Sequence, residues 1–245
     1  MRQTVDILGI NIDTLNKTKA LETILAFVGD SSTKIVFTPN SEMIMIAHTD
    51  DELKTTLNSS DLLIADGIGI VWASKILGYS IPERVTGYDT MSELFKIGNK
   101  GSFSFYLLGS SQEVIERTVH NLKTMYTELN ILGYHNGYFD SIEEINIIEE
   151  INKLKPDILF VALGAPKQEK WIYRNKTNIN AKVCMGVGGC FDVIAGKVKR
   201  APIFFQKFGL EWLYRLFEQP TRFKRMLKLP QFGLYVIMKK IGLID

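Results

Sequence analysis

Short runs of apolar residues alternate with longer stretches in which apolar positions recur every three or four residues, from the start of the chain to about residue 196. The short runs have strand length, and the longer stretches have the period of helices with one buried face. This pattern predicts strands over residues 5–10, 34–38, 62–65, 103–108, 131–134, 158–163 and 183–187. It predicts helices over 17–27, 41–48, 51–57, 69–77, 90–97, 112–126 and 142–154, and another starting at Lys167. Alternation at this spacing implies an α/β fold: a mostly parallel, Rossmann-like sheet with right-handed crossovers and helices on both faces.

After Arg200 the strand pattern stops. Phe204, Phe205, Phe208, Trp212, Leu213, Leu216 and Phe217 are interleaved with Lys207 and Arg215, and a basic group follows at Arg222, Lys224, Arg225 and Lys228. We read residues 197–245 as a C-terminal helical appendage, basic and amphipathic, behind an α/β domain over 1–196. Charge sharpens that division. The net charge of +2 is small, but residues 197–245 carry 11 basic side chains against three acidic, leaving 18 against 24 before them. Such a tail can lie on an anionic membrane surface, bind nucleic acid, or pack its apolar face on the body. Its bulky apolar residues outnumber the neighbouring charges, which favours the membrane over nucleic acid.

Hydrophobic content of 46 % with 23 % charged residues is ordinary for a soluble globular protein. Cys184 and Cys190 make no disulfide framework, and the three histidines are scattered, so a reducing, cytoplasmic compartment is expected. The first residues are too polar for a signal peptide, and no run reaches the roughly 18 apolar residues of a spanning helix.

Chemistry-bearing residues gather where strands end: Thr38-Pro39-Asn40, Asp66-Gly67, Gly109-Ser110-Ser111, Gly164-Ala165-Pro166-Lys167-Gln168 and Gly188-Gly189. Open α/β sheets bind ligands at that edge. Asp66 is the sharpest candidate, because a carboxylate beside apolar neighbours tends to a raised pKa that suits a base. It could equally cap the helix after it. Thr38 and Asn40 suit a strand end and a helix cap, Arg84 a surface pair with Glu83, and Gln168 an exposed first helical turn. Gly186-Val187-Gly188-Gly189 suits either a phosphate turn or a tight turn with positive φ. It is not G-x-G-x-x-G, which argues against a dinucleotide dehydrogenase. No Asp-x-Asp occurs and no carboxylates or histidines cluster, so a metal site has no candidate. A leaving diphosphate would then fall to Arg, Lys and helix N-termini. Ser110-Ser111 lacks the glycines of a nucleophile elbow.

Taken in order, Thr38-Pro39-Asn40, Ala65-Asp66-Gly67-Ile68-Gly69, Arg84-Val85-Thr86-Gly87, Leu107-Leu108-Gly109, Gly164-Ala165-Pro166-Lys167-Gln168-Glu169 and Gly186-Val187-Gly188-Gly189 form a pattern. It resembles the WecB/TagA/CpsF glycosyltransferases of bacterial cell-surface polymers, nearest the TagA-type members of wall teichoic acid synthesis. The resemblance implies inverting transfer of ManNAc from the donor UDP-ManNAc to the 4-hydroxyl of GlcNAc on undecaprenyl diphosphate, without metal or cofactor. It implies that Asp66 is the general base. Thr38, Asn40 and Gln168 would position sugar and acceptor, Arg84 would bind a diphosphate or sugar phosphate, and Gly188 and Gly189 would admit the nucleotide to the backbone. Arg215, Arg222 and Arg225 would close over the diphosphates when the appendage docks, with the protein peripheral on the inner face of the cell membrane. Other donors, UDP-ManNAcA or UDP-glucose, fit the same fold. A peripheral membrane adaptor that binds nucleotide without turnover is the non-enzymatic alternative.

Overall fold

In the computed structural model, which describes residues 2–207, 209–218 and 223–244, the chain opens with an antiparallel hairpin, β1 (Thr4–Ile7) and β2 (Ile10–Asp13). This corrects the single strand expected over residues 5–10. Ile7 pairs with Ile10, and the two residues between them, Leu8 and Gly9, both have positive φ, +54° and +83°. Positive φ at both central positions is what a two-residue hairpin turn needs to match strand twist. One apolar run is thus two strands folded back on each other.

The body continues as α1 (Lys17–Val28), β3 (Lys34–Phe37), α2 (Ser41–Ala47), α3 (Asp51–Asn58), β4 (Leu62–Leu63), α4 (Ile68–Leu77) and α5 (Gly87–Gly98). Next come β5 (Ser104–Gly109), α6 (Gln112–Met125), β6 (Asn130–His135), α7 (Ser141–Leu154), β7 (Ile158–Ala162), α8 (Lys167–Asn175), β8 (Val183–Gly186) and α9 (Cys190–Ile194). Strands β3 to β8 form one parallel sheet in the order β4-β3-β8-β7-β5-β6. The α/β expectation holds, with α5 beginning three residues earlier than the periodicity suggested. Thr86 supplies the reason: its hydroxyl accepts the Asp89 N–H at 3.0 Å and so fixes the helix start.

Alternate residues of β3, β4, β5, β7 and β8 enter different cores. Ile35, Phe37, Leu63, Leu108, Leu159 and Val161 pack in one, and Val36, Leu62, Leu107, Ile158, Phe160 and Met185 in the other. A sheet buried on both faces explains why its strands read as nearly unbroken apolar runs. The hairpin is fastened to the sheet by Asp13, 3 % exposed, which accepts from Arg2 Nε and Nη2 at 2.6 Å and from the Leu63 N–H at 2.7 Å.

The appendage is helical, as expected: α10 (Ile203–Lys207), α11 (Glu211–Glu218), α12 (Phe223–Met226) and α13 (Lys228–Lys240). Helix α13 crosses α2 and α4, and its Phe232 and Val236 are buried in the core that holds the hairpin. Lys239 pairs with Asp6 at the far end. Yet Phe217, Phe223, Leu227, Leu234, Ile237 and Ile241 stay exposed. Packing on the body uses one face of the tail and leaves other apolar side chains in solvent.

Candidate active site

Beyond β4 the chain keeps running beside the extension of β3. The Ile64 N–H donates to the Phe37 carbonyl, and the Asp66 N–H to the Pro39 carbonyl, both at 2.9 Å. On the other side the Val85 N–H donates to the Ala65 carbonyl at 3.0 Å. Asp66 is therefore held between two backbone segments at the carboxyl edge of the sheet. The capping alternative takes an unexpected form. The cap position of α4 is Gly67, with φ +151° and no side-chain cap bond. Asp66 Oδ2 instead accepts the N–H of Gly87, the first residue of α5, at 3.1 Å. That bond fixes the direction of the carboxylate.

Gly87 closes the Arg84-Val85-Thr86-Gly87 segment of the sequence pattern, which gave it no role of its own. A Cβ there would lie 2.8 Å from Thr38 Oγ1, so only glycine lets Thr38 come against this turn. Its signal was a glycine directly after Thr86 and ahead of the expected helix, where a bare Cα permits close approach. Thr38 follows β3, and Asn40 is the cap of α2, its Oδ1 accepting the Met43 N–H at 3.0 Å.

Gln168 is not the exposed first-turn residue its position suggested; it is 3 % exposed. Its Oε1 accepts the Gly188 N–H at 3.0 Å and its Nε2 donates to Glu169 Oε1 at 2.7 Å. Helix α8 thereby holds the turn after β8, where Gly188 has φ +54°. The bare Cα of Gly186 makes room, since a Cβ there would lie 2.9 Å from Gln168 Nε2. Glu169 is 1 % exposed, and burial pushes its carboxyl up to about 7 against the smaller opposing effect of the Gln168 amide. Among the described residues its Oε2 has no hydrogen-bond partner.

This gives a signed prediction. A carboxyl whose folded pKa is raised keeps its proton in the native state while the unfolded chain releases it. Stability then falls as pH rises from about 4.5 to about 7, by roughly 3 kcal/mol, and is level above that. In Glu169→Gln the unfolding free energy measured by urea titration should lose that slope, leaving the variant more stable than the parent at pH 8.

Arg84 does not pair with Glu83, whose carboxylate accepts the Lys17 N–H at 2.7 Å. Its Nη1 donates to Glu211 Oε2, at the start of α11, at 2.6 Å. Arg225 pairs with Glu42 of α2 at 3.2 Å. Arg222 lies outside the described residues; Arg215 lies on α11. Among the described residues no three His, Cys, Asp or Glu side chains gather as metal ligands. No helix among them is long and apolar enough to cross a membrane.

Two cavities open on these residues. One, of about 340 Å³, lies over the strand ends and is lined by Thr38, Thr86, Ser110, Gln168, Gly188 and Gly189, with Arg200 and Arg225 beside them. The other, of about 430 Å³, lies between α4 and the appendage and is mainly apolar, with Ile68, Trp72, Ile76, Leu229, Phe232 and Val236 in its walls. Asn40, Glu42, Asp66 and Glu211 line both. Asp66 stands at the junction of a polar chamber and an apolar one. Thr38, Asn40, Asp66, Arg84, Gln168, Gly188, Gly189 and Arg225 each line one cavity or both.

The family described as the glycosyl transferase WecG/TagA/CpsF family matches residues 5–244. A Staphylococcus aureus (strain MW2) protein named N-acetylglucosaminyldiphosphoundecaprenol N-acetyl-beta-D-mannosaminyltransferase is 35 % identical over 237 residues, 96 % of this chain and 92 % of the relative. The protein of the same name from Staphylococcus aureus (strain MRSA252) is 36 % identical over the same span.

Proposed function

From the premise that the chain belongs to the WecG/TagA/CpsF glycosyltransferase family, we propose that it transfers ManNAc from UDP-ManNAc to the 4-hydroxyl of GlcNAc-diphospho-undecaprenol, releasing UDP. The observation that carries the reading is the shared position of Asp66, between a polar chamber suited to a nucleotide sugar and an apolar one suited to a lipid-linked acceptor. The acceptor hydroxyl gives its proton to Asp66 and attacks the anomeric carbon from the side opposite the leaving UDP, which inverts that centre. Thr38 and Asn40 position the sugars in the polar chamber, and Gln168 holds the Gly188-Gly189 turn to which the nucleotide comes close. Arg84, Arg225, Arg215 and Arg222 neutralise diphosphate charge, and transfer proceeds without a metal.

A donor screen against a GlcNAc-diphospho-lipid acceptor, read by UDP release in chelating buffer, tests this. UDP-ManNAc should be the preferred donor. Preference for UDP-ManNAcA or UDP-glucose would reassign the sugar, and dependence on a divalent cation would overturn the metal-free step.

We place the protein on the cytoplasmic face of the membrane, attached by its tail. Support comes from the basic charge of residues 197–245 and the exposed Phe217, Phe223 and Leu227. Truncating the tail would remove Phe232 from the core, so surface variants are the cleaner probe. The triple variant Phe217→Ser, Phe223→Ser, Leu227→Ser should stop floating with anionic vesicles while keeping its melting temperature. Unchanged flotation would remove these residues from the attachment.

A further inference from the structure

Between the two chambers an acidic side chain of the tail sits where an anionic ligand would be expected. Glu211, 17 % exposed, is one of only three acids among residues 197–245. Its Oε2 meets Arg84 Nη1 at 2.6 Å and its Oε1 lies 3.9 Å from Arg200 Nε. Two guanidinium groups around one carboxylate reproduce the arrangement with which arginines hold phosphate oxygens.

Arg200 does not depend on Glu211 for its orientation. Its Nη2 donates to Asp89 Oδ1 at 2.7 Å, and its guanidinium lies 4.5 Å from the centre of the Tyr88 ring. Burial pushes the Asp89 carboxyl up, but the Thr86 hydroxyl and Arg200 outweigh it and hold it below the usual carboxylate range. Asp89 and Tyr88 belong to α5, the helix whose first N–H is bound by Asp66. Arg200 is thus fixed to the same scaffold as the proposed base.

We propose that Arg200 joins Arg84 as the clamp for the donor's diphosphate, and that Glu211 is an internal anion filling the clamp until the nucleotide sugar displaces it. The inference rests on the proposed reading of a nucleoside-diphosphate donor and adds to it a residue and an exchange. A diphosphate brings more charge and more acceptor oxygens than one carboxylate, so it wins the two arginines. Glu211 opens α11, so its release frees the start of that helix and couples donor arrival to the appendage over the site. As a competing internal ligand, Glu211 lowers the apparent donor affinity by the fraction of molecules in which it holds the arginines.

Calorimetric titration of the full chain with UDP and, separately, with uridine tests this. Arg200→Gln should weaken UDP by about 10–100-fold, the size of a lost charged hydrogen bond, and leave uridine unchanged. Arg200→Lys, keeping charge without the fork, should fall between. Glu211→Gln should tighten UDP by about 3–10-fold, because its neutral amide competes less for the arginines. UDP affinity unchanged in Arg200→Gln would overturn the clamp, and UDP weakened by Glu211→Gln would make Glu211 a support instead of a placeholder. A folded parent chain that bound no UDP would contradict the nucleotide-donor reading itself, a result distinct from either.

Discussion

Asp66→Asn is expected to lower turnover by about 10²–10⁴-fold, the usual contribution of a general base. Donor KM should change by less than about threefold, because the asparagine amide stays in place. Its Oδ1 can still accept the Gly87 N–H, the bond that orients the native carboxylate, and its backbone bond to Pro39 is untouched. What disappears is the ability to take a proton from the acceptor hydroxyl. A role limited to supporting the start of α5 would instead show as a lower melting temperature with turnover nearly intact. Steady-state kinetics beside a thermal melt separates the two.

Phe232→Ala should have the largest effect on stability. Phe232 is 4 % exposed, and it anchors α13 in the core shared by α2, α4 and the hairpin. Truncating a buried phenylalanine costs about 3–5 kcal/mol, from lost burial and the cavity left behind. For a chain of this size each kcal/mol lowers the melting temperature by about 2–4 °C, so a fall of roughly 6–20 °C is expected by calorimetry. Since Phe232 also lines the apolar chamber, acceptor KM should rise more than donor KM below the melting range. Equal changes in both would detach this wall from acceptor binding.

The parallel sheet was legible because its strands are buried on both faces and stay apolar along their length. The strand ends were legible because little but ligand binding or turn geometry puts Thr38, Asn40 and Asp66 at such positions. Residues 5–10 misled because a tight hairpin of apolar strands carries the same composition as one strand; Gly9 was the available signal. Gln168 misled because helical position alone does not reveal that β8 presents a bare glycine to it. Arg200 and Glu211 carried no local signal. Their partners Asp89 and Arg84 lie 111 and 127 residues away along the chain, and only the folded tail brings them together.

A single displacement assisted by Asp66 makes a stereochemical commitment. The most direct test is the anomeric configuration of the new linkage, read by NMR on product made from UDP-ManNAc and a GlcNAc-diphospho-lipid. A β-linked ManNAc from the α-linked donor is the predicted result. An α-linked product, or a product formed at the parent rate by Asp66→Asn, would contradict it.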